Sequence, residues 1–176
     1  VTVYVVAGFP RTGTSVTVEA VDAGGIPAFT APSRPNVREG HRSQPDSYWQ
    51  PPKGWWRNHP PSEAAGHVVK FLLFADGATL PPLDSGRYRV VVLTRDRAEV
   101  VASLRRAYGT TSPYSRSRVI RWAHRIAGRD DVGTVSVLDH RDMMLHPQES
   151  FERLSWPLSA SAAAGTVDHT WWRFRR

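Results

Sequence analysis

The apolar positions of this chain follow two periods. Residues 2–7, TVYVVA, form a continuous β-branched and apolar run closed by Gly8 and Pro10, the pattern of a buried strand. A helix is predicted over 14–23, opening at the loop and stopping at Gly24 and Gly25. HVVKFLLF (67–74) reads as a second core strand carrying one lysine, and RYRVVVLT (87–94) is the clearest strand of the chain. DRAEVVASLRRAY (96–108) puts apolar residues at 98, 100, 101, 104 and 108, a helical spacing. SRSRVIRWAHRIAG (115–128) is a basic amphipathic helix ending at Gly128, and GTVSVLD (133–139) is a fourth strand. HPQESFERLSWPL (146–158) is expected to be helical from Pro147, with Glu149 and Glu152 in its N-terminal half. Strands alternating with helices predict an α/β fold with a parallel sheet.

From Ile26 to Pro61 both periods vanish. Eight of the 14 prolines lie there, among Arg, Ser, His and the aromatics Tyr48, Trp49, Trp55 and Trp56. So long an irregular stretch in a small domain suggests a functional loop, and residues 28–62 are expected to form a lid on the acceptor side of a site. A length of 176 residues fits one domain, spanning 1–176, with enough chain for a real core. There is no cysteine, which excludes disulfides, zinc–thiolate sites and thiol nucleophiles. No charged leader or membrane-length apolar run occurs, so a soluble, cytoplasmic protein with no membrane partner is expected. The net charge of +7 points to an anionic partner or a positive field over a site. Of the 23 basic residues only Lys53 and Lys70 are lysines, so arginine number alone says little, whereas each lysine stands out.

GFPRTGTS (8–15) follows the first strand with the spacing of a phosphate loop, but Thr14 stands where such loops carry lysine. Backbone N–H groups of a glycine-containing turn, backed by a helix N-terminus, converge on phosphate oxygens. Gly8, Gly13, the strand before and the helix after meet that requirement, and Pro10 restrains the turn. The missing cation has a substitute inside the loop, Arg11. A donor other than a magnesium-bound nucleoside triphosphate is therefore expected.

This loop resembles the 5′-phosphosulfate loop of the sulfotransferases, which use 3′-phosphoadenosine 5′-phosphosulfate (PAPS) without a metal. Their second signature is an arginine at a strand end, then Asp, then a serine eight positions after the arginine. VVVLTRDRAEVVASL is similar, with Arg95, Asp96 and Ser103. The stretches around VEAVDAGGIPAFTAPSRPN, QPDSYWQ, HVVKFLLF and VLDHRDMMLHPQESFERL also resemble a bacterial P-loop branch of that family. The resemblance implies a three-layer P-loop fold with a central parallel sheet flanked by helices. It implies Gly8, Pro10, Arg11, Thr12, Gly13, Thr14 and Ser15 around the 5′-phosphate, and Arg95 with Ser103 on the 3′-phosphate. Arg11 and Lys70 would stabilise charge in sulfuryl transfer, the spent donor being 3′,5′-adenosine bisphosphate (PAP). Arg97 replaces the usual proline after Arg–Asp, and Gln50 stands where the branch carries glutamate.

With Gln50 there, the acceptor's base must come from elsewhere. Glu39 and His41 are the first candidates, because REGHR sets an acid and an imidazole among arginines; Asp46, His59 and His67 follow. Two alternatives stay open. One is a P-loop kinase with Ser15 on Mg²⁺ and Asp139 as the nearest strand-end acid. The other is a non-catalytic anion- or nucleic-acid-binding module using the basic aromatic stretches YWQPPKGWWRNH and WWRFRR. The histidines lack paired metal-ligand spacing, so no metal site is expected. The acceptor and the oligomeric state are not legible in the sequence.

Overall fold

β-Branched runs sit on adjacent parallel strands because, buried on both faces, they need no polar alternation. The computed structural model describes residues 1–29, 61–73, 79–110 and 114–167. β1 (Thr2–Gly8), β2 (Val68–Leu72), β3 (Arg87–Thr94) and β4 (Val132–Asp139) form a four-stranded sheet in the order β2-β1-β3-β4. All three pairings are parallel, with Val6 opposite Lys70 on one side and Val91 on the other.

Helices cover both faces. Among the described residues the α-helices are α1 (Thr14–Ala23), α2 (Arg97–Tyr108), α3 (Arg116–Ala127), α4 (His140–Leu145), α5 (Pro147–Glu152) and α6 (Ala160–Gly165). On one face Val3, Val5, Ala7, Val90 and Val92 pack against Val100 and Leu104 of α2 and Val119, Trp122 and Ile126 of α3. On the other, Tyr4, Val6, Val91 and Leu93 pack against Val18 and Val21 of α1, Met143, Met144, Phe151 and Ala163. The expected α/β class with a parallel sheet flanked by helices is thus observed.

Local chemistry sets the ends. The Asp96 carboxylate accepts the Glu99 N–H and caps α2, and Gly109, at φ 66°, closes it. Asp139 caps α4 by accepting the Arg141 N–H. The continuous helix expected over 146–158 is corrected: α5 stops at Glu152, and Ser155 takes a left-handed φ of 53° before Pro157. α4 and α6 went unpredicted, being only one and a half turns each and too short for a periodic signal. Residues 30–60 of the expected lid lie outside the described residues.

The segment before β3 is tied down by one ion pair. Arg129 holds the Asp131 carboxylate with Nε and Nη2, at 2.8 and 2.5 Å, and donates to the Leu80 and Pro81 carbonyls. Asp131 also accepts the Leu83 N–H. The hydrogen-bonded Arg129 guanidinium holds the Asp131 carboxyl below its ordinary range, against the opposing effect of burial. Its stabilisation is therefore present above the unfolded carboxylate value and lost as pH falls through the lower folded value. Asp131→Asn is expected to cost about 2 kcal/mol near neutral pH. In urea melts that difference shrinks on acidification below about pH 4, the unfolded value; a pH-independent difference contradicts the assignment.

Candidate functional site

β1 and β3 are neighbours, yet the chain leaves their carboxyl ends toward opposite faces, into α1 on one side and α2 on the other. Such a divergence opens a crevice at the sheet edge, the usual ligand position in open parallel sheets. Residues 8–13 and Arg95 lie at that crevice.

The loop is folded around its own small residues. The Thr12 hydroxyl and N–H both turn back to the Phe9 carbonyl, at 2.7 and 3.1 Å. A Cβ on Gly8 would stand 2.5 Å from Thr12 Oγ1 and 2.9 Å from Thr14 Cγ2, so glycine is required there. Thr14, in the lysine position, is buried and points inward. Gly13, at φ 98°, begins α1 without any side-chain cap. Among the described residues, the N–H groups of Gly13, Thr14, Ser15 and Val16 have no acceptor. Unsatisfied donors at the positive end of a helix suit an anion. Thr12 was expected to contribute its N–H as well; the Phe9 carbonyl already occupies it.

Cations converge on the same place. Arg11 sits in the left-handed region at φ 72°, a conformation that costs a non-glycine residue about 1–3 kcal/mol. It is held from two sides: its Nε donates to Ser103 Oγ at 2.9 Å, and its carbonyl accepts Arg95 Nη1 at 3.1 Å. Arg95 is itself steadied by Glu99, one turn along at 2.8 Å, and by Tyr114, whose hydroxyl meets both its N–H and its carbonyl. Arg95 Nη2 has no partner among the described residues. Arg95 and Ser103, read from sequence as one clamp, are thus joined through Arg11 and not to each other.

Lys70 enters from β2. It is only 7% exposed and donates to Ser15 Oγ at 2.9 Å, with no carboxylate paired to it among the described residues. Burial, and then the Arg11 charge, lower its pKa to about 8. His140, which sequence reading missed, packs behind the loop, its Cδ2 2.5 Å from where a Cβ on Gly13 would be. Burial, with Arg95 nearby, lowers its pKa to about 3 and keeps it neutral. Its Nδ1 is sealed from solvent with no partner among the described residues. A signal for it existed: His140 directly follows the fourth strand, at the sheet edge where sites form.

Other candidates fall elsewhere. Glu39, His41, Asp46, Gln50 and His59 lie outside the described residues. His67 is removed as a base, because it precedes β2, at the amino end of the sheet, and its Nδ1 meets the Ala65 carbonyl at 2.8 Å. Asp139 meets Thr94 Oγ1 and Arg116 besides capping α4, which leaves it poorly free to hold an ion. No helix among the described residues is long and apolar enough to cross a membrane. Comparison with protein-family models, curated proteins and solved structures gives no match for this chain.

The Lys70 environment has a measurable cost. With a folded pKa near 8 against an ordinary 10.5, the unfolded chain holds more protons between those values, so stability rises with pH through that window. Lys70→Met is expected to be more stable than the parent near pH 7, by roughly 1–3 kcal/mol, the advantage vanishing above about pH 10. Thermal melts at the two pH values check this; a variant less stable near neutral pH contradicts a charge held at a cost.

Proposed function

We propose that this chain is a P-loop sulfotransferase, an enzyme that moves a sulfuryl group from PAPS to a hydroxyl or amine acceptor. The observation that carries this reading is the joining of two separated sequence elements at Arg11. The loop arginine is gripped by Ser103 and Arg95, the second pair in the resemblance. The donor fits the donor set in this crevice: an uncapped helix N-terminus with four N–H groups without acceptors, and a buried ammonium without a carboxylate.

In this reading the N–H groups of Gly13, Thr14, Ser15 and Val16 receive the 5′-phosphate. Arg95 offers Nη2 to the 3′-phosphate, with Ser103 beside it. PAPS supplies the activated sulfuryl group. The chain contributes positioning and charge: Arg11 and Lys70 face the oxygens on which negative charge grows as the sulfuryl group leaves. A cation already desolvated acts more strongly there than one in water. Glu39 and His41 remain the proposed bases for the acceptor proton, and residues 28–62 the acceptor side. The kinase alternative lacks a comparable support, because Asp139 is already engaged by three groups.

Calorimetric titration with PAP in EDTA, with ATP and Mg²⁺ in parallel, tests the donor. PAP is expected to bind without metal and ATP to bind far more weakly. Arg95→Ala is expected to weaken PAP by about 2 kcal/mol, roughly 30-fold. Preference for ATP with Mg²⁺, or an Arg95→Ala variant that binds PAP normally, overturns the reading.

A further inference from the structure

The helices on the two faces of the sheet carry opposite charge. α2 and α3 hold seven arginines and one carboxylate, Glu99. α1, α4, α5 and α6 together hold five carboxylates and one arginine, Arg141. A compositional taste for arginine would spread it over both layers. Within these described helices it is sorted by face, while Arg89 and Arg153, outside them, lie on the acidic side.

α3 is the strongest case, with Arg116, Arg118, Arg121 and Arg125 and no acid in its 12 residues. Val119, Trp122, Ala123 and Ile126 are buried against the sheet, and Arg118, Arg121 and Arg125 stand exposed along one flank of that buried stripe. These three span about 10 Å of helix axis at 1.5 Å per residue, close to three base-pair steps of about 3.4 Å. Arg105 and Arg106 add exposed positive charge at the end of α2. Arg116 is partly neutralised by Asp139 at 3.3 Å, a contact that sets the start of the stripe beside the crevice.

We infer that the α2–α3 face is a docking surface for the phosphate backbone of a nucleic acid, with no sequence preference. Charge complementarity selects a polyanion, and guanidinium forks match phosphate oxygens better than ammonium groups do. Trp122 is turned into the core, which leaves the His124 imidazole as the one exposed ring of α3; arginines outnumber it, so the contact is chiefly to backbone. The inference stands independently of the sulfuryl donor.

Fluorescence anisotropy of a labelled mixed-sequence DNA duplex of about 20 base pairs tests it on the full chain. Four phosphates neutralised by the arginines of α3 contribute a fall in affinity of about 100-fold between roughly 50 and 200 mM salt. The triple substitution Arg118→Gln, Arg121→Gln, Arg125→Gln is expected to reduce that dependence to a few-fold and to weaken binding at least tenfold at about 100 mM salt. Glu149→Gln with Glu152→Gln, on the other layer, is expected to leave affinity within about twofold. Circular dichroism melts confirm that the variants fold, and Arg121→Gln alone, with a shallower salt slope, carries the test should the triple variant unfold. Absence of duplex binding at low salt, unchanged binding by the substituted chains, or binding of heparin but not DNA overturns the inference. Self-association in sedimentation that the arginine substitutions abolish, without DNA binding, overturns it too and assigns the face to the acidic layer of a second copy.

Discussion

Everything at the candidate site depends on one topological constraint: two adjacent parallel strands send their following helices to opposite faces. That divergence parts the chain at the carboxyl ends of β1 and β3 and puts residues 8–13 beside Arg95. It also explains why Arg11 can be held in a conformation that its side chain disfavours. Ser103 grips its guanidinium and Arg95 its carbonyl, so the second helical layer fixes the geometry of a loop belonging to the first. Loop, helix start and strand end behave as one unit.

The electrostatics follow from that packing. Arg11 and Lys70 are close enough for the first to lower the pKa of the second, and among the described residues no carboxylate pairs with Lys70 to relieve it. A cluster of this kind costs folding stability, and a bound anion would offset that cost. His140 contributes the opposite property: it is titratable but kept neutral, so it supports Gly13 from behind without adding further charge. Thr14, in the position where such loops usually place lysine, packs inward. The positive charge beside the loop comes from Arg11 and from Lys70 on the neighbouring strand.

Strong local patterns made most of this fold legible in advance. β1, α1 and β3 fall within a residue of the limits read from their apolar runs and glycines, and Asp96 and Gly109 end α2 where capping chemistry places them. The short helices α4 and α6 were not legible, because six residues give too little periodicity. The loop and the Arg95–Ser103 pair were visible as spacing, but their meeting through Arg11 was not, since it depends on how α2 crosses the sheet. The Thr12 N–H illustrates the same limit: sequence offers it to an anion, while the turn gives it to Phe9. His140 carries a positional signal alone, the end of the fourth strand, with no motif around it.

The central claim is that the start of α1 is a working anion site. Amide chemical-shift mapping by ¹⁵N–¹H NMR, during addition of PAP in EDTA, tests it most directly. The account predicts the largest shifts at Gly13, Thr14, Ser15 and Val16, with a smaller change at Thr12, whose N–H already has an acceptor. Shifts confined to the exposed arginines of α3, or none at the loop at saturating PAP, would contradict it.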